Sequence, residues 1–131
     1  MIKLLAFTFL FAILLSWKPA DKTIIATVDY SFSGCFSSGK GKLVLFKNGD
    51  ITTAELTTTD QQKFTTLLTQ PQIEVFKRFV QELKITDFSY GCTTQYEYVV
   101  HFENEVIKKT DGSCNWDGFS KLRKQLFNSS Y

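Results

Sequence analysis

The sequence is poor in the residues that most often do chemistry. It has one histidine, three cysteines, one methionine and two prolines in 131 residues. One histidine leaves little scope for a zinc site, and any catalytic pair with cysteine or serine would have to use it. An excess of charge of one sign is missing as well. Fifteen basic residues face 13 acidic ones, for a net charge of +2. Lys3 and Lys18 fall in the first twenty residues, which hold no acid, so the remainder carries 13 of each sign. That balance argues against nucleic acid or an anionic membrane as main partner, because both are recognised by excess Lys and Arg. Glycine shows no triplet period and no repeat recurs, which excludes collagen-like chains and solenoids. The length suits one domain.

What is present begins with a leader. Lys3 is followed by the uncharged stretch Leu4 to Leu15, and Ser16-Trp17-Lys18-Pro19-Ala20 breaks the run. A short positive region, an apolar stretch shorter than the ~20 residues of a membrane span, and a polar break are the layout of a secretory signal peptide. Residues 1–20 are therefore expected to be a signal peptide and 21–131 a single globular domain, located in the periplasm or outside the cell. A small-x-small cleavage site is absent, since Lys18 or Leu14 stands where the first small residue belongs. An uncleaved N-terminal anchor stays open as the alternative. Outside the cytoplasm disulfides persist. Of Cys35, Cys92 and Cys114, chain entropy cannot choose a pair, because the candidate loops differ by less than ~1 kcal/mol. Cys92 and Cys114 flank a predicted hairpin and are the expected bridge, with Cys35 a buried free thiol or an intermolecular link.

Alternation of apolar and polar residues predicts a strand from Thr23 to Ser33 with Ala26, Val28, Tyr30 and Phe32 on one face. Ser37-Ser38-Gly39-Lys40-Gly41 reads as a loop by composition. Leu43-Val44-Leu45-Phe46 resumes as a strand and meets Asn48-Gly49, the strongest short hairpin signal. A turn centred there pairs Lys47 with Asp50, Phe46 with Ile51 and Lys42 with Glu55. Thr57 to Asp60 then resembles a helix start, with a capping box from Thr58 and Gln61 or from Thr59 and Gln62, and with Phe64, Leu67 and Leu68 inside. Pro71 opens a second helix carrying Ile73, Phe76, Phe79, Val80 and Leu83. Tyr96, Tyr98, Val100 and Phe102 mark another strand, Glu103-Asn104-Glu105 a turn, and Val106-Ile107 its return. Trp116, Phe119, Leu122 and Leu126 mark a last helix capped by Ser113 or Asn115. The expected order is βββ-αα-ββ-α, an α+β domain with a mainly antiparallel sheet and helices on one face.

The chemical motifs weaken on inspection. Gly34 to Gly41 fits the frame of a phosphate loop, but Gly41 replaces the magnesium-binding hydroxyl and a strand, not a helix, follows. Asp111 to Asp117 resembles the start of a calcium loop, yet Trp116 and Leu122 stand where glycine and glutamate are required. His101 is expected on the outer face or edge of the sheet, and no orienting motif flanks it or Cys35. Glu103 and Glu105 sit at a hairpin tip with no cleft to shield them. No catalytic, cofactor or metal residue is assigned, and no cofactor is expected. Tyr30, Tyr96, Tyr98 and Trp116 could line a surface, though core packing explains them first. Phe36 beside Ser37, Ser38 and Lys40 offers an aromatic anchor on a glycine-rich loop, the expected place for a partner to bind.

Gly34-Cys35-Phe36, Cys92-Thr93-Thr94 with Tyr96 and Tyr98, and Asp111 to Phe119 resemble blocks that recur in small exported bacterial proteins of unknown function. The resemblance implies export and an α+β domain with a cysteine near each edge of the second hairpin, and no activity. The expected function is a monomeric, non-enzymatic module that binds an exported protein or a small ligand. A compact enzyme inhibitor presenting residues 36–41 comes second, and a hydrolase using Cys35 and His101 third.

Overall fold

The computed structural model describes residues 21–128, so the signal peptide expected at residues 1–20 lies outside the described residues. Among these, six strands form one antiparallel sheet: β1 (Thr23–Ser33), β2 (Ser38–Asn48), β3 (Ile51–Thr57), β4 (Lys63–Leu68), β5 (Gln95–Phe102) and β6 (Glu105–Asp111). Their spatial order is β4-β3-β2-β1-β5-β6. Two helices, α1 (Gln70–Ile85) and α2 (Gly118–Phe127), bury their apolar faces against one side of it. The domain is α+β, as the sequence predicts, and none of its helices is long and apolar enough to cross a membrane.

The inner face follows the alternation. Ala26, Val28 and Tyr30 of β1 meet Leu43 and Leu45 of β2, Ala54 and Leu56 of β3, and Tyr98 and Val100 of β5, all buried. Phe76, Phe79, Val80 and Leu83 of α1, with Phe119, Leu122 and Leu126 of α2, close the core from above. Each such large side chain contributes about 1.5–3 kcal/mol by leaving water. The helices run antiparallel. Gln72 near the start of α1 donates through Nε2 to the carbonyls of Gln125 and Leu126 at the end of α2, at 3.1 and 3.0 Å. At the other end Trp116, just ahead of α2, donates its indole N–H to Glu82 Oε1 at 3.0 Å.

The expected first helix is instead strand β4. Phe64, Thr66 and Leu68 alternate inward while Leu67, expected inside, is 67% exposed. Helical spacing and strand alternation both fit so short a run. The unpaired edge of β3 decides the matter, because β4 satisfies its backbone from Thr52 to Thr57. The capping box lies one motif later, where the Thr69 N–H donates to Gln72 Oε1 at 2.9 Å and Pro71 sits in the first turn. The cap of α2 is also displaced, to Asp117. Ser113 and Asn115 belong to the preceding turn, in which the Ser113 N–H donates to Asp111 Oδ1 at 2.8 Å and the Asn115 N–H to Ser113 Oγ at 3.2 Å.

The β2–β3 hairpin is shifted by two residues from the expected register. Asn48 pairs with Ile51, so Gly49 and Asp50 are the central residues, and positive φ falls on Gly49 alone. A slip of two keeps every side chain on its face. It also sets Leu56 opposite Leu43 and Ala54 opposite Leu45, which packs the centre of the sheet. Lys42 consequently pairs with Asp29 at 3.1 Å, and Glu55 with Lys63 at 3.7 Å. The turn with positive φ at both centres is Glu103-Asn104, at 48° and 63°. A left-handed Glu is strained. Replacing the pair by Asn-Gly (Glu103→Asn with Asn104→Gly) is expected to raise stability by about 1 kcal/mol in urea unfolding. No gain would mean that the turn is not under strain.

Candidate aromatic cleft

The helices stop short of one end of the sheet. Along β1 the inward residues run Ala26, Val28, Tyr30, Phe32, and along β5 they run Phe102, Val100, Tyr98, Tyr96 in matching rows. Tyr30 and Tyr98 are buried beneath Phe119, whose ring lies 4.6 and 5.8 Å from theirs. Phe32 and Tyr96, one row further out, are only half-buried, with ring centroids 5.8 Å apart. Trp116 forms the opposite wall. It stands edge-on to Tyr98 at 5.3 Å and is braced by Phe88 and Phe79 at 5.2 and 5.9 Å. Between these walls lies a cleft of about 680 Å³, bounded also by the Thr58–Asp60 turn and by Ser120 and Arg123 of α2. That volume is in the range of small-molecule sites.

Two glycines make the floor possible. Tyr30 pairs with Gly41 and Phe32 with Gly39 across the β1–β2 hairpin. A Cβ on Gly41 would stand 2.2 Å from the Tyr30 hydroxyl, and one on Gly39 would stand 2.8 Å from Phe32 Cε1. Residues 38–41, expected as a loop, are therefore strand: the rings of β1 lie across their backbone. The expected binding residues separate in consequence. Only Gly34 to Ser37 remain as loop, closed by the Gly34 N–H donating to Ser37 O at 2.9 Å. Phe36 projects from its tip, wholly exposed at 102%. Ser38 opens β2, and Lys40 turns to the other face of the sheet beside Asp29, Lys42 and Glu97.

Cys92 and Cys114 form a disulfide with a Cα–Cα distance of 5.7 Å, tying the entry of β5 to the segment after β6, and Cys114 lines the cleft. Cys35 is an exposed thiol, not a buried one, because it sits in the four-residue loop rather than under a longer one. His101 is exposed on the outer face of β5, opposite Thr27. At ~3.3 Å per residue along β1 it lies roughly 20 Å from Cys35, so the fold does not bring the two together.

The electrostatics of the cleft are local. The Asp60 carboxyl is held below its ordinary range, first by the Thr58 hydroxyl that it accepts. Asp117 is lowered by Lys121, 2.8 Å away, which it raises in turn. Burial pushes the Tyr30 phenol up, and the nearby Arg123 guanidinium opposes this. Tyr98 is pushed well above its usual value, first by burial and then by the buried Asp111 and by Tyr96. A raised folded-state value means stability that is complete below the unfolded value of ~10 and lost as pH climbs past it. The unfolding free energy of the wild type, read from urea unfolding, is expected to fall above pH ~10, by up to about 1.4 kcal/mol per pH unit for this group. Tyr98→Phe should flatten that slope, and identical slopes in the two proteins would show that Tyr98 titrates normally.

Tyr30, Tyr96, Tyr98 and Trp116 are legible in the sequence as a potential surface, and the fold makes them both core and wall. Arg123 and the Thr58–Asp60 turn escaped sequence reasoning, since a lone arginine at the margin of a helix's apolar stripe looks like an ordinary flank. Compared with family models and with curated proteins, the chain matches none.

Proposed function

We propose that this protein is an exported, non-enzymatic binding module whose ligand enters the aromatic cleft. One observation carries the reading. A recess of about 680 Å³ with convergent aromatic and polar walls is open at the end of the sheet where Phe36 projects. Cores are usually closed by their own helices. Here Phe32, Tyr96 and Trp116 keep part of their rings in solvent, where a flat apolar ligand would gain from stacking. Exposed Phe36 supports a second reading, a protein partner such as an enzyme whose cleft takes the hairpin tip.

Immobilised protein exposed to the exported fraction of the cells that make it should retain a small molecule or a protein. Tyr96→Ala should release a cleft ligand and leave a hairpin partner bound, and Phe36→Ala should do the reverse. Trp116 is the only tryptophan in the described residues, so its fluorescence reports the first event directly. Retention of nothing by the intact protein would remove both readings.

A further inference from the structure

We propose that the cleft takes a small planar carboxylate, an acid group carried on a flat apolar ring, with Arg123 as the residue that binds the acid. This rests on the reading of the cleft as a binding site and adds the chemistry of what enters it. Arg123 lies on α2 and contributes to the cleft wall. Its Nε is out of solvent and has no hydrogen-bond acceptor among the described residues. None of the five ion pairs among those residues uses it. Its guanidinium carbon sits 5.6 Å from the centre of the Phe119 ring. The Tyr30 hydroxyl accepts from the same guanidinium, but its Nε–H lies against the aromatic floor unfilled, and a ligand can supply that acceptor. A carboxylate matches its planar fork with two parallel hydrogen bonds, which a single carbonyl or hydroxyl cannot do.

Two acids also border the cleft and define the competing expectation, a cationic ligand held by aromatic faces. Both are already engaged. Asp117 pairs with Lys121 at 2.8 Å, and Asp60 accepts from its own turn through the Thr58 hydroxyl. Both are exposed to water, which screens them, whereas Arg123 is partly buried. For the ring, Tyr96 and Tyr98 lie nearly parallel at 9°, with Phe32 beside Tyr96. Of these, half-buried Tyr96 and Phe32 at the open end offer ring faces to an aromatic body whose acid reaches Arg123.

The test uses three probes of one shape and different charge: 2-naphthoate, 2-naphthamide and 2-naphthylmethylammonium. Binding is followed by NMR through the indole N–H of Trp116 and by calorimetry. The acid should bind at least tenfold more tightly than the amide, and the ammonium most weakly. Arg123→Gln should abolish the preference for the acid, weakening acid binding far more than amide binding, and an unshifted Trp116 indole resonance in the ligand-free variant shows that the cleft is intact. Arg123→Lys should recover part of the preference, since it keeps the charge and loses the fork. Equal binding of acid and amide to the wild type, or tighter binding of the ammonium, would overturn the assignment to Arg123 and leave the cleft as a binding site. No response to any probe would overturn both.

Discussion

Gly41→Ala is expected to cost about 3 kcal/mol of stability, more than its single methyl group suggests. The position is half-buried on β2 under the Tyr30 ring. The new Cβ would meet the Tyr30 hydroxyl at 2.2 Å, Tyr30 Cζ at 2.4 Å and the Thr57 carbonyl oxygen at 2.5 Å. The last contact decides the magnitude. Tyr30 is packed against Phe119 and cannot swing away freely, and Thr57 O belongs to the backbone of the neighbouring strand. Overpacking of this kind costs ~1–3 kcal/mol where side chains can yield, and more where backbone must move. Gly39→Ala is the internal control. Its Cβ would approach Thr59 Cγ2 at 2.5 Å and Phe32 Cε1 at 2.8 Å, which are side-chain atoms near the open end of the cleft. A loss of about 1 kcal/mol is expected there. Urea unfolding of both variants checks the ranking. Equal losses would show that the sheet yields as readily as the side chains do. Tyr30→Phe added to Gly41→Ala should recover only part of the loss, because Thr57 O remains in the way.

The same two glycines show where sequence reasoning stopped short. By composition Ser37 to Gly41 is a loop, and glycine usually earns that reading. The overlooked signal was relational: Gly39 and Gly41 are two apart, as are Phe32 and Tyr30, and the hairpin pairs them in register. Small residues facing large rings across a tight hairpin are a packing pattern, not a flexible one. The strands and α1 were legible because alternation and helical spacing both read burial directly. β4 was not, because Phe64, Leu67 and Leu68 satisfy either period and nothing local reports an unpaired edge on β3. The register of β2 with β3 failed for a related reason. Local turn chemistry favoured Asn48-Gly49, and the packing of Leu43 against Leu56 outweighed it. The cleft itself was half legible. Its aromatics could be named, but whether a helix covers them depends on where α2 starts. That start depends on a turn held by the buried carboxylate of Asp111.

Reduction of Cys92–Cys114 is expected to lower stability by about 3 kcal/mol without unfolding the protein. The bridge closes a segment of sequence separation 22, for which loop entropy in the unfolded chain gives roughly that figure. The core does not depend on it, since α1, α2 and the four central strands pack without either cysteine. The cleft does. The bridge is reinforced by the Cys92 N–H donating to Gly112 O at 2.9 Å, and together they fix the chain that leads into Trp116. Cys114 holds positive φ, at 57°, so the backbone there is one that an unbridged residue would tend to leave. Local release should therefore come before global unfolding. In mild reductant the far-ultraviolet circular dichroism should stay native while Trp116 fluorescence changes. Amide exchange should rise in residues 112–117 and not in β1 or β2. The double variant Cys92→Ala/Cys114→Ala should reproduce this state and bind cleft ligands more weakly. Loss of all secondary structure on reduction would mean that the bridge holds the fold itself. An unchanged Trp116 signal would mean that the cleft wall stands without it.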